Sequence, residues 1–132
     1  MTEKQIFVIR MRSKDLSQQV VSEILGTTRS NVSILEKRAH QNVERAKNTL
    51  RQWTMIQAPV SVTVPEGTDV FEVPGRIFQE ADRKGVRLSL NSLDLIVRLR
   101  SEAPQVLKKR VVLRDLEIFV TENGEVLVQD AP

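Results

Sequence analysis

The sequence predicts an α+β fold in two parts. An all-helical helix-turn-helix domain with a long linker helix covers residues 1–57, and a small α+β domain covers residues 58–132. Three observations carry this reading. Apolar residues recur at three- and four-residue steps up to Gln57, and neither Gly nor Pro interrupts Arg29 to Gln57. That periodicity stops between Met55 and Pro59, and short alternating apolar runs bounded by turn residues follow. Charge divides near the same point: residues 1–57 hold ten Lys and Arg against five Asp and Glu, whereas residues 58–132 hold ten against twelve. A basic front of this kind suits contact with a polyanion.

Composition narrows the class. A chain of 132 residues with 40% hydrophobic and 28% charged content is long and apolar enough to fold as a soluble globular protein. No apolar run nears the roughly 18 residues of a membrane span, and MTEKQIFVIRMRSK lacks a signal-peptide h-region. A cytoplasmic protein that does not touch membrane is therefore expected. The absence of cysteine removes disulfides, thiolate catalysis and Cys-ligated zinc together.

The elements follow in order. Thr2-Glu3-Lys4-Gln5 has capping-box spacing and starts a first helix with Ile6, Val8, Ile9 and Met11 on its apolar face, ending near Lys14. Asp15 stands at its exit, where a residue tolerant of the left-handed conformation is useful. Ser17 caps a second helix carrying Val20, Val21, Ile24 and Leu25, and Gly26 ends it. Thr28 caps the third. From there Val32, Leu35, Ala39, Val43, Ala46, Leu50 and Trp53 form a stripe with the period of a helix–helix seam. Periodicity alone leaves open whether one helix runs through or bends near His40. Trp53, closing the stripe, is expected to pack at the domain junction.

In the second part Val60, Val62 and Val64 alternate as a strand, and Glu66-Gly67-Thr68-Asp69 turns the chain. Pro74 suits the first turn of a helix carrying Ile77, Phe78 and Ala81, stopped by Gly85. Val86, Leu88 and Leu90 read as a strand. Ser92 is the expected cap of a helix through Leu93, Ile96, Val97 and Leu99, ending before Pro104; Leu93, Leu95, Val97 and Leu99 also alternate as a strand would, and the helix is the favoured reading. Ile118 and Val120, the Asn123-Gly124 turn, then Val126 and Val128 make the clearest hairpin.

Two short helices joined at a glycine have the layout of a helix-turn-helix, whose second helix lies in the DNA major groove with its N-terminal residues at base edges. Those residues here are Thr28, Arg29, Ser30, Asn31 and Ser33. Arg can grip guanine O6 and N7, and Asn adenine N6 and N7. Val32 and Leu35 point the other way, into the core, while Lys37 and Arg38 reach toward phosphates. His40, the only histidine, is expected as an exposed residue or phosphate contact on this basic helix.

These residues also carry a resemblance. Thr2-x-x-Gln5, Val8-Ile9-x-Met11-Arg12, Leu16-Ser17-Gln18-Gln19, Leu25-Gly26-Thr27-Thr28-Arg29-Ser30-Asn31-Val32-Ser33 and Glu36-Lys37-Arg38-Ala39 are similar to the archaeal Tfx family of DNA-binding transcriptional regulators. The likeness continues through Asn42-Val43, Ala46 and Thr49-Leu50, then Pro65-x-Gly67-Thr68-Asp69-Val70, Val73-Pro74 and Ala81-Asp82. The helix-turn-helix half is shared with other modules, and the Gly-Thr-Asp-Val element narrows the match. The resemblance implies a basic helix-turn-helix followed by an acidic C-terminal domain. The sequence departs from the pattern at Asp15, where such modules carry Gly, and in a tail that is barely acidic. Gln18 and Thr27, inside the matching motifs, complete the set of DNA-contacting candidates.

Catalytic chemistry is not expected. Pairs such as Glu80 with Asp82, or Asp115 with Glu117, have no His or Cys nearby in sequence, and Gly67, Gly75 and Gly85 do not form a phosphate-binding loop. No cofactor and no metal is called for. The leading expectation is a sequence-specific regulator binding double-stranded DNA as a homodimer, paired through the α-helical seam or the C-terminal sheet. The alternative is a regulator whose C-terminal domain senses a small molecule or oxyanion, with Arg76, Arg83, Lys84 and Arg87 as the cationic candidates.

Overall fold

Thr2 starts the first helix in the manner its spacing predicts. Its Oγ1 accepts from the Gln5 N–H at 3.1 Å, and Gln5 Oε1 accepts from the Thr2 N–H at the same distance. In the computed structural model, which describes residues 1–132, this helix (α1) spans Glu3–Arg12. It stops slightly short of Lys14, because the chain already turns through Ser13–Asp15 and Asp15 takes the left-handed conformation at φ 63°. Ser17 Oγ accepts from the Val20 N–H at 3.2 Å and opens α2, Gln18–Leu25. Gly26 ends α2 at φ 68°, where any Cβ would be strained. The third helix, α3, runs unbroken over Arg29–Gln57, continuing through His40 as one helix.

The chain divides into two compact units, Met1–Arg51 and Gln52–Pro132. Gln52–Gln57, although helical, thus group with the second unit. Val8, Val21 and Val32, one from each helix, are fully buried at the centre of the first unit, with Phe7, Met11, Leu16, Leu25 and Leu35 packed around them. Gln5 is buried too, and its Oε1 also accepts from Asn42 Nδ2 at 3.4 Å.

The second unit is built on a three-stranded antiparallel sheet in the order β1 (Val60–Val64), β2 (Leu116–Val120), β3 (Val126–Asp130). The register sets Val60, Val62 and Val64 opposite Val120, Ile118 and Leu116, and sets Ile118 and Val120 opposite Val128 and Val126. That face forms the main core with Ile77 of α4 (Val73–Arg83), Leu95 and Leu99 of α5 (Ser92–Glu102), and Val106 and Leu107 of the short α6 (Pro104–Leu107). On the other face Phe119 and Leu127 pack with Met55, all three buried.

Several expectations are corrected. Val86, Leu88 and Leu90 do alternate between half-buried positions and exposed neighbours, and they pack against the core, but the segment pairs with no strand. Alternation reports burial on one side, and here no strand supplies the ladder bonds. The cap of α5 is Asn91, one residue earlier than Ser92, because Asn91 and Asp94 exchange both bonds of a capping box. Trp53 is 59% exposed; Met55, about 200° around the helix, takes the buried place. The hairpin turn is also longer than a two-residue Asn-Gly turn. Thr121 N–H bonds Glu125 C=O, Gly124 alone has positive φ at 79°, and its N–H returns to Thr121 C=O at 3.0 Å. This is a three-residue loop with glycine at the left-handed position.

The Pro65-x-Gly67-Thr68-Asp69-Val70 element has a local reason for each residue. Gly67 turns at φ 86°, and buried Thr68 donates its hydroxyl to Pro65 C=O at 2.7 Å. Asp69 caps a 3-10 turn over Val70–Glu72 through the Phe71 N–H, while Val70 enters the core. Gly67, Val70 and Val112 hold this corner to residues 110–112 with backbone bonds of 2.7–2.8 Å.

Candidate nucleic-acid interface

The face that α3 presents follows from which of its residues are buried. Val32 and Ala39 are fully buried and Leu35 half-buried. A step of two residues along an α-helix turns by about 200°. Ser30 and Ile34 flank Val32 by two residues, and Lys37 and Gln41 flank Ala39 by two, so all four lie on the opposite arc. All four are exposed, as is Ser33 between them. Arg29 and Arg38, also exposed, stand on the two shoulders of this arc.

The start of the helix is held from within. Thr28 Oγ1 accepts from the Asn31 N–H at 3.1 Å, which makes Thr28 the cap expected of it. Asn31 Nδ2 donates to Thr27 Oγ1 at 3.0 Å, so the Asn31 amide is oriented by the turn before anything docks. The first turn of α3 carries no acidic residue, and its unpaired N–H groups leave a partial positive charge there. Exposed Arg10, Lys14, Arg29, Lys37 and Arg38 add full positive charges to the unit.

One carboxylate joins the three helices behind that surface. Glu36, on α3, accepts from Arg12 Nε of α1 with both oxygens at 3.1 Å and from Gln18 Nε2 of α2 at 2.9 Å. Arg12 Nη1 continues to Leu16 C=O at 2.9 Å, and His40 Nε2 lies 3.9 Å from Glu36. Burial by itself raises the Glu36 pKa. The hydrogen bonds from Gln18 and Arg12, with the charges of Arg12 and His40, outweigh it and hold the carboxyl below its ordinary value.

The structure therefore brings Thr28, Arg29, Ser30, Asn31, Ser33, Lys37 and Arg38 together along the first turns of α3. Thr27 is half-buried in the turn and bonded to Asn31, and Gln18 is half-buried and bonded to Glu36. Ile34 and Gln41 belong to the same arc and were not among the sequence candidates; their offset of two from Val32 and Ala39 was the available signal. In the second unit Arg83 and Lys84 are engaged with Glu80 at 2.6 and 3.6 Å, leaving Arg76 and Arg87 as the other two cations of the suggested anion group. No group of three or more His, Asp and Glu side chains gathers in a way that could hold a metal ion. No helix is long and apolar enough to cross a membrane.

Comparison with known proteins places the chain in a family. A family model described as the C-terminal part of the DNA-binding protein TFX matches residues 46–128. The chain is 39% identical over 125 residues to a candidate transcriptional regulatory protein of Methanocaldococcus jannaschii, covering 95% of this chain and 91% of that one. It is 42% identical over 130 residues to a candidate transcriptional regulatory protein of Pyrococcus abyssi, covering 98% and 88%. To the DNA-binding protein Tfx of Methanothermobacter marburgensis it is 34% identical over 128 residues, covering 97% and 93%.

Proposed function

We propose, from the premise that this chain belongs to the Tfx family of DNA-binding proteins, how it performs the work of a DNA-binding transcriptional regulator. It binds duplex DNA sequence-specifically by laying the first turns of α3 in the major groove. The observation that carries this is the exposed arc of Ser30, Ile34, Lys37 and Gln41, set opposite fully buried Val32 and Ala39, with exposed Ser33, Arg29 and Arg38 along its flanks. Arg29 offers the planar fork that matches guanine O6 and N7, Ser30 and Ser33 offer adaptable hydroxyls, and Lys37 and Arg38 meet phosphates. Asn31, oriented by Thr27, presents its remaining amide atoms to an adenine. Binding is the whole task, with no chemical step, and it takes place in the cytoplasm.

The regulator acts as a homodimer, since one helix-turn-helix reads few base pairs and a second module held nearby binds its half-site at high effective concentration. Labour divides between the domains: residues 1–57 contact DNA, and residues 58–132 pair the chains. The test combines in vitro selection of bound duplexes with Arg29→Ala. Selection should return a two-fold symmetric site, and the variant should lose about 1–3 kcal/mol on it while losing little on random duplex. Equal losses on both duplexes would make Arg29 a phosphate contact. Sedimentation of the full chain as a monomer on and off DNA would remove the dimer.

A further inference from the structure

On the reading that the first turns of α3 enter the major groove, one residue of the arc has the wrong chemistry for a solvated surface. Ile34 is 46% exposed, and its companions there are Ser30, Ser33, Lys37 and Gln41. A branched hydrocarbon in the middle of a polar recognition surface cannot serve a phosphate or donate a hydrogen bond. It has one natural counterpart in the major groove, the C5 methyl of thymine, the only apolar group that a base edge displays there.

We infer that Ile34 is a specificity-determining residue that reads the 5-methyl group of a thymine. Its place on the helix supports this. Ile34 lies one turn beyond Ser30 and one turn before Lys37, so it sits between the base-reading start of α3 and its phosphate-reaching cations. Like Ser30, it points about 200° away from buried Val32, along the centre of the arc. Isoleucine is also stiff at χ1 within a helix, so little side-chain freedom is lost when it docks. Single exposed apolar residues are common on protein surfaces. What sets this one apart is its position at the centre of the presented face.

The experiment uses the full chain and the duplex obtained by selection, with each thymine in turn replaced by deoxyuridine, which lacks only that methyl. For the wild-type chain, one thymine per half-site should be sensitive, its replacement weakening binding roughly fourfold, the worth of one buried methyl-sized group. Ile34→Ala, on an exposed helix position where alanine is well tolerated, should bind the thymine duplex about as weakly as wild type binds the deoxyuridine duplex. It should then be indifferent to the replacement, while Ile34→Val should restore the sensitivity. Wild-type indifference to every replacement would overturn the inference, and so would an Ile34→Ala variant that keeps full sensitivity. Failure of selection to return any preferred duplex would overturn the underlying reading as well, before any methyl is removed.

Discussion

Removing the Glu36 carboxylate tests how the recognition helix is held. Glu36→Ala leaves Arg12 Nε and Gln18 Nε2 without the acceptor they share, at 3.1 and 2.9 Å, and so unties α3 from both α1 and α2. Each bond to a charged group is worth about 1.5–3 kcal/mol at full burial. The Glu36 side chain is 16% exposed but that of Arg12 is 36%, so a stranded Arg12 regains part of its hydration. The net loss should be about 2–3 kcal/mol, and Glu36→Gln, which keeps the shape and loses the charge, should cost about half as much. Urea unfolding followed by the helical circular dichroism signal reads both values. The pH dependence gives an independent check. Because the folded pKa lies below the ordinary 4.5, the carboxylate's stabilising contribution is present above pH 4.5 and is lost as pH falls through the folded value. The gap between wild type and Glu36→Gln should therefore be widest above pH 4.5 and should narrow below it. A Glu36→Ala variant within 0.5 kcal/mol of wild type would show that the three-helix network contributes nothing to stability, and a gap that ignores pH would show that the charge of Glu36 plays no part in it.

Two further outcomes follow from the same geometry. Lys37→Ala and Arg38→Ala should each weaken specific and random duplex alike and lower the slope of log affinity against log salt by roughly 0.9; an unchanged slope in a filter-binding titration removes that residue from the phosphates. Gly26→Ala should cost about 1–2 kcal/mol in thermal unfolding, purely from the backbone at φ 68°, since an added Cβ meets nothing within 4 Å; a neutral result would mean that the turn adapts.

What the sequence determined by itself are the features that neighbouring residues control. Thr2 with Gln5, Ser17 and Thr28 cap helices because a side-chain oxygen three residues before an unpaired N–H has no other requirement. Gly26 and Asp15 take left-handed backbone because the chain must turn there, and Pro74 falls in a first turn that spares its missing N–H. Tertiary structure decided everything that depends on a distant partner. The stripe from Val32 to Trp53 is continuous in sequence, yet its start is buried and Leu50 and Trp53 are exposed, since burial depends on what packs alongside. Val86, Leu88 and Leu90 have a strand's alternation without a strand's pairing. Gln18 and Thr27 carry chemistry suited to DNA, and only the structure shows that Gln18 also bonds Glu36, 18 residues along the chain, and that Thr27 bonds Asn31. Ile34 shows the converse. It was not among the sequence candidates, and only the buried positions of Val32 and Ala39 place it on the outward face, because a helix has one orientation once its packing is set.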